Sequence, residues 1–310
     1  MSGMPEPVNA SSQGWSLDRP WLFRLALAWA KHAPRGKGAL PRRLGRWLGR
    51  GMKVLIPTNA GAKLAVDPDN LDVYTTIALE AGAWDAHIYR VCAAVLRDGG
   101  VFYDIGANGG SVGIDVAKRT GGKAEVIAFE PQPSLAFAAA VSASANGFER
   151  FRVFSLMLGE ADGEGTLYVP SHSIHASAVS REPGAAEIRC AVRSIDSLVA
   201  AGLPPPWVMK VDVEGGEMGV FKGSAETIRT HRPYLLFESD INMKRFGYTR
   251  RDLLAFLGSL CPYAFYGVSA DRLLPIGVGG GPSGTVAGEA EGDVLAVPPG
   301  GEIPELAGAG

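Results

Sequence analysis

An α/β domain built on a mostly parallel seven-stranded sheet, with an antiparallel last strand and helices on both faces, is the fold this sequence predicts. Three observations carry that prediction. Short apolar runs recur along the chain, at 101–105, 125–129, 151–156, 207–213 and 234–237, each of a length that suits a buried strand. Segments with apolar residues at helical spacing lie between most of them, and strands that alternate with helices argue for parallel pairing. The first of these runs passes directly into the glycine-rich turn Gly106–Gly110, a strand–turn–helix junction. Two further runs, 263–268 and 272–276, read as a terminal antiparallel pair and bring the expected strand count to seven.

The chain has 310 residues, of which 46% are hydrophobic and 20% charged. That supports one good-sized core and excludes a disordered or collagen-like chain. Cys92, Cys190 and Cys261 lie far apart with no CxxC pair, so neither a disulfide framework nor a zinc knuckle is indicated. Such cysteine usage fits buried thiols in a reducing cytoplasm. Residues 1–20 lack the basic-then-apolar pattern of a secretory signal and are expected to be disordered. Residues 21–50 carry eight basic side chains and no acidic one, whereas the rest of the chain is acidic. The apolar stretch from Trp21 to Ala30 is too short to span a membrane and contains Arg24. Two readings of 21–50 stay open. One is a helix packed on the domain; the other is a basic amphipathic surface in peripheral contact with anionic lipid. Nucleic acid is not an expected partner, because an acidic body repels phosphate.

In chain order, 52–56 and 63–66 read as a hairpin, which completes a basic helical segment plus hairpin over 21–80. The main domain is expected over 81–276. Ile88, Val91, Cys92 and Leu96 fall on one face of a helix over 84–96, stopped by Asp98-Gly99-Gly100. A strand at 101–105 leads through the glycine turn to a helix at 111–119. A strand at 125–129 is followed by a helix at 134–146 with Asn146-Gly147 as its stop, then a strand at 151–156. The rhythm breaks over about 160–195, where 166–169 and 187–192 look like an antiparallel insertion that would cover the crevice. His172 and His175 lie in the polar loop between them. A strand at 207–213, a helix at 216–229 and a strand at 234–237 follow. Thr249 and Asp252 form a capping box for a helix whose stripe is Leu253, Phe256, Leu257 and Leu260. The tail 277–310 is Gly/Pro-rich loop apart from the apolar run Val294–Val297.

The glycine turn carries the chemistry. A buried strand delivers Asp104 to its carboxyl end, and glycines at 106 and 110 let a ligand approach the backbone at the crevice of an open α/β sheet. The spacing Gly-Ala-Asn-Gly-Gly departs from G-x-G-x-x-G and tells against a nicotinamide-dependent oxidoreductase. A carboxylate at this point suits a cation, and S-adenosylmethionine offers a sulfonium and an ammonium. Glu130, about 20–25 residues past the turn, is placed to hold ribose hydroxyls. Lys210, Asp212 and Glu214 alternate with apolar residues, which puts all three on one face of a strand. Charges inside a central strand are costly unless paired or functional.

DIGANGG, AFEPQPS, MKVDVEGGEMGVFKGS and RPYLLFES, in this order and spacing, resemble the FkbM-type methyltransferases, and GYTRRDLLAFLGSLCPYAFYGV resembles their C-terminal portion. The likeness spans about residues 80–275 and leaves the first fifty outside. It implies a Rossmann-like class I fold and S-adenosylmethionine-dependent O-methylation of a hydroxyl on a sugar, glycolipid or polyketide-type natural product. It places cofactor binding on Asp104, Gly106, Asn108, Gly110 and Glu130. It marks Lys210, Asp212, Glu214 and Glu217 without fixing their roles. Gly216 and Gly109 depart from the family's more usual alanine and larger apolar residue, and neither change removes a charge.

An acceptor hydroxyl must lose its proton during attack, to a carboxylate or histidine in reach, or be acidified by a divalent metal. The catalytic candidates are Asp212 first, then Glu214 and Glu238. The same three oxygen donors would suit magnesium, so base and metal both stay open. His172 and His175 are candidates for either role; His32, His87 and His231 read as structural. The remaining alternative is a non-catalytic nucleotide-binding module on a degenerate fold of this type.

Overall fold

The computed structural model describes residues 3–18, 21, 24, 53–58, 60–66, 86–169, 186–269, 272–277 and 292–304. The central sheet has eight strands where the sequence suggests seven. In chain order its members are β3 (Gly100–Ile105), β4 (Ala124–Phe129), β5 (Phe151–Phe154), β9 (Val208–Val211), β10 (Tyr234–Phe237), β11 (Ala264–Val268), β12 (Leu273–Ile276) and β13 (Val294–Val297). In space they run β12-β11-β13-β10-β9-β3-β4-β5. Strands β5, β4, β3, β9 and β10 are parallel neighbours. The added strand is β13, inserted antiparallel between β10 and β11. Its four residues, Val-Leu-Ala-Val, are all buried and extend the sheet beyond residue 276 into what the sequence presents as tail.

Strand order reverses between β3 and β9: the chain moves outward to β4 and β5, then returns to the other side of β3. The crevice outside the carboxyl ends of strands at such a switch point is where open α/β sheets bind ligands. Asp104 stands beside Lys210 in the register across this junction.

Helices cover both faces. On one lie α1 (Ala86–Val95), α2 (Ser111–Arg119) and α3 (Pro133–Asn146), whose Val91, Cys92, Ile114, Val116, Ala136 and Ala139 pack on Phe102, Val126 and Ala128 of the sheet. On the other lie α4 (Ile195–Ala200), α5 (Glu217–Lys222), α6 (Ala225–His231) and α7 (Arg250–Leu260), whose Leu198, Phe221, Ile228 and Leu253 meet Tyr103, Phe129, Met209 and Phe237. Alternate residues of β3 feed opposite cores, as the two-residue strand period requires. The capping box is present in full, with Thr249 Oγ1 accepting from Asp252 N–H and the Asp252 carboxylate accepting from Thr249 N–H.

Several local expectations change. The helix expected over 216–229 divides into α5 and α6 at Gly223, where the Gly159 carbonyl closes on the α-carbon and leaves no room for a side chain. The Asp196 carboxylate, from α4, accepts from Glu226 N–H (3.0 Å) and Thr227 N–H (2.8 Å) and so starts the second piece. A short 3-10 helix, Ile241–Phe246, fills a stretch with no periodic signal. The insertion forms a separate three-stranded sheet of β6 (Met157–Leu158), β8 (Ala186–Arg193) and β7 (Gly163–Val169).

The hairpin is formed by β1 (Leu55–Pro57) and β2 (Lys63–Ala65). It docks on α3 and α2, with Ala65 N–H donating to Ser142 Oγ (2.8 Å) and Thr58 Oγ1 to Asp115 (2.6 Å). Residues 3–18, expected to be disordered, are held by main-chain bonds: Val8 N–H reaches the Val153 carbonyl of β5, and the Ser16 carbonyl receives Leu55 N–H. The free edge of β5 supplies the carbonyl that holds Val8, and the hairpin end holds Ser16. The basic segment 21–50 lies outside the described residues except for Trp21 and Arg24, as do His32, His172 and His175. Among the described residues no helix is long and apolar enough to cross a membrane.

Candidate active site at the carboxyl ends of β3 and β9

The turn after β3 is shaped by backbone geometry. Gly106 has φ +70°, and a Cβ there would land on the Asp212 carbonyl oxygen, so the turn passes against the loop that follows β9. Its N–H and that of Ala107 both donate to the Phe129 carbonyl at the end of β4. Asn108 adopts φ +52°, and its Oδ1 accepts from Gly109 N–H (2.7 Å). Gly110 caps α2, with the α3 residue Ala139 packed against its α-carbon. Nothing stands within 4 Å of where a Gly109 side chain would begin.

Glu130 bonds to this turn. Its Oε2 accepts from Asn108 N–H (2.9 Å) and its Oε1 from Gln132 N–H (2.8 Å). Burial pushes its carboxyl up to about 7 against the pull of those two N–H groups and of Lys210. Asp104, Gly106, Asn108, Gly110 and Glu130 thus gather around one turn.

The Asp104 side chain is 0% exposed. Oδ2 accepts from Gly113 N–H in the first turns of α2 (2.9 Å), and Oδ1 lies 3.5 Å from Lys210 Nζ. Burial raises its pKa, opposed first by the Lys210 charge and then by the Gly113 bond. Lys210 Nζ also donates to the Gly106 carbonyl (3.0 Å) and lies 3.3 Å from Asp212 Oδ2. One buried ammonium therefore joins the glycine turn, its anchoring carboxylate and the first residue of the β9 loop.

The expected alternation of Lys210, Asp212 and Glu214 on one strand face does not hold. Strand β9 ends at Val211, and the loop turns through Glu214 at φ +56° and Gly215 at φ +98°. Asp212 remains at the crevice, in a pocket it shares with Glu238, Lys210, Ile88 and Asp293. Glu214 turns to the 3-10 helix, where its Oε2 accepts from Asn242 Nδ2 (3.2 Å). The structure thus brings Asp212 and Glu238 together and directs Glu214 elsewhere. Burial, followed by the negative charges of Asp212, Asp240, Glu214 and Asp293, drives the Glu238 pKa well up.

Two features near the β9 loop and the pocket escaped the sequence reading. Asp293, immediately before β13, lines the pocket, and His87 Nε2 lies 2.6 Å from its Oδ2. His87 reads as a partnerless histidine because its partner is more than two hundred residues away; the only hint is an acid heading the apolar run 294–297. Tyr248, on the turn before α7, likewise carried no signal and meets Glu217 beneath the β9 loop. Among the described residues no group of three or more His, Cys, Asp or Glu side chains is placed to hold a metal ion.

Residues 104–265 match the family described as the methyltransferase FkbM domain. No curated protein matches the chain. Among solved structures, an FkbM methyltransferase from Methylobacillus flagellatus is 21% identical with a TM-score of 0.42, covering 64% of this chain and 44% of its own. This chain therefore spans less than half of that protein. A precorrin-6y C5,15-methyltransferase from Geobacter metallireducens is 10% identical, TM-score 0.38, covering 68% of this chain and 85% of its own. An S-adenosylmethionine-dependent O-methyltransferase from Thermotoga maritima is 11% identical, TM-score 0.36, with coverages of 78% and 76%.

Proposed function

We propose, from the premise that this chain belongs to the FkbM methyltransferase family, that it transfers a methyl group from S-adenosylmethionine to a hydroxyl of a sugar, glycolipid or polyketide-type natural product. The observation that carries this reading is the junction of β3 and β9, where a glycine turn tied to Glu130 meets a pocket framed by Asp212, Glu238 and Asp293. The residues present fit the cofactor. Carboxylates frame the crevice and complement a cation, and the open space before Gly109 leaves the turn's backbone approachable.

When bound, S-adenosylmethionine supplies a methyl group on a sulfonium whose leaving group is neutral. The protein's part is to position the acceptor oxygen and to take its proton. Glu130 keeps the turn in shape through Asn108 N–H and would hold the ribose hydroxyls of the cofactor. Asp104 holds α2 from within, through Gly113 N–H. Asp212, ion-paired with Lys210, is the carboxylate that accepts the hydroxyl proton. Burial and four neighbouring carboxylates favour the protonated form of Glu238, and a protonated Glu238 is a donor able to orient an acceptor oxygen. Glu214, turned to Asn242, supports the loop.

Calorimetric titration with S-adenosylmethionine and, separately, NAD tests the reading. Binding of the former alone supports it, and a screen of glycan and polyketide hydroxyls follows with the Asp212→Asn variant as control. That variant should keep cofactor affinity and lose turnover by roughly 100-fold or more. Binding of NAD in preference to S-adenosylmethionine overturns the assignment. Failure to bind either ligand favours the non-catalytic module.

A further inference from the structure

The loop Asp212–Gly216, which carries Asp212 to the crevice, is held from below by two side chains whose hydrogen bonds can be counted. Glu217, the first residue of α5, is 1% exposed. Its Oε1 accepts from Val213 N–H and Gly215 N–H, both at 3.1 Å. Its Oε2 lies 2.9 Å from the Tyr248 phenol oxygen. That oxygen also lies 2.7 Å from the Gly215 carbonyl and receives Met218 N–H at 3.3 Å.

A phenol has one proton, and a carbonyl has none. The short contact with Gly215 therefore uses the Tyr248 proton. The contact with Glu217 then needs a proton from Glu217. With that proton in place every group is satisfied: Tyr248 donates to Gly215 and accepts from Glu217 and Met218, while Glu217 Oε1 still accepts two N–H bonds. Were Glu217 ionised, two buried acceptors would compete for one phenol proton, and one would go unpaired at a cost. The loop has no slack to relieve this. Gly215 stands at φ +98°, and a Cβ there would lie 2.8 Å from the Asn242 carbonyl.

We propose that Glu217 acts as a neutral carboxylic acid which, with Tyr248, forms a proton-dependent clamp positioning the loop that presents Asp212. Its catalytic consequence rests on the reading of Asp212 as the group that takes the acceptor's proton. Burial favours the neutral acid, pushing the Glu217 carboxyl up to about 7 against its bonds from its own N–H, Val213 and Gly215. Burial and then Glu217 itself push the Tyr248 phenol up, and Asp240 is the other charge acting on it. Asp240 is negative and opposes ionisation within the clamp.

The sign of the pH effect follows. Glu217 holds its proton in the folded chain up to about pH 7 and loses it in the unfolded chain near about pH 4.3. The clamp's contribution is complete below the lower value, declines as pH rises between the two, and is absent above the upper. The test compares the wild type with Glu217→Gln, which mimics the neutral acid, and Glu217→Ala. Thermal midpoints are measured between about pH 5 and about pH 8, with the infrared carboxylic-acid band recorded at the low end. Part of the wild-type fall in midpoint should vanish in Glu217→Gln, and one carboxylic-acid band should disappear from its spectrum. Turnover should fall about tenfold to a hundredfold in Glu217→Ala, recover in Glu217→Gln, and show an alkaline limb shifted upward in that variant. A Glu217→Gln variant as unstable as Glu217→Ala at about pH 5, with no band lost, overturns the proposal. The midpoints and spectra need no acceptor or cofactor, so they decide on the proton even if the methyl-transfer reading fails.

Discussion

Replacing Lys210 with Met keeps a long unbranched stem and removes only the ammonium. Asp104 then keeps its Gly113 bond but faces a core with no compensating cation, at 0% exposure. Breaking a buried pair from one side costs about 3–5 kcal/mol, because the surviving charge stays desolvated. The Asp212 partner adds little to that figure, since its side chain is 37% exposed and water screens it. The loss should appear as a lower urea midpoint with an unchanged slope, followed by circular dichroism at neutral pH. It should shrink toward acid. The folded-state pKa of Asp104 is already raised by burial, and without Lys210 it rises further, so a falling pH neutralises the stranded carboxylate. Lys210→Met combined with Asp104→Asn should recover much of the stability, because an amide still accepts from Gly113 and no buried charge remains. A single-variant loss below about 1 kcal/mol, or a double variant that merely sums the two singles, would refute the claim that Asp104 depends on this ammonium.

Two further outcomes are expected. Gly106→Ala places a methyl group on the Asp212 carbonyl at a backbone angle that L-residues rarely adopt, so calorimetry should find S-adenosylmethionine binding lost, whereas Gly109→Ala, facing open space, should retain it. Asp196→Ala removes the carboxylate that caps α6 from another helix, and its unfolding free energy should fall by roughly 1–2 kcal/mol in chemical denaturation.

Much of the sheet was legible because its signals are local. The run at 101–105 and its glycine turn announce a strand, a tight turn and a helix within a few residues. Thr249 and Asp252 are three residues apart and cap the same helix turn they predict. Gly106, Asn108 and Gly110 share one turn, and Glu130 directly follows the adjacent parallel strand. The loop after β9 was less legible. Alternation of Lys210, Asp212 and Glu214 is a strand signal only while the strand continues, and the turn at Glu214 and Gly215 ends it. Asp104, an acid at a strand end, gave no sign in sequence that Lys210 would claim it from the next strand.

The amino-acid sequence by itself determined the type and order of most elements, the capped start of α7, the glycine turn after β3 and the family that these motifs share. Those features arise from contacts two to four residues apart, where backbone sterics and side-chain period decide the outcome. The tertiary structure alone decided that Val294–Val297 enters between β10 and β11, that Asp293 meets His87, that the Gly159 carbonyl closes on Gly223, and that Glu217 meets Tyr248 beneath the β9 loop. Each joins distant parts of the chain or depends on a burial that no local pattern encodes. Whether a carboxyl is charged or neutral is set there, by the number of donors the folded chain brings within reach and by the water it shuts out.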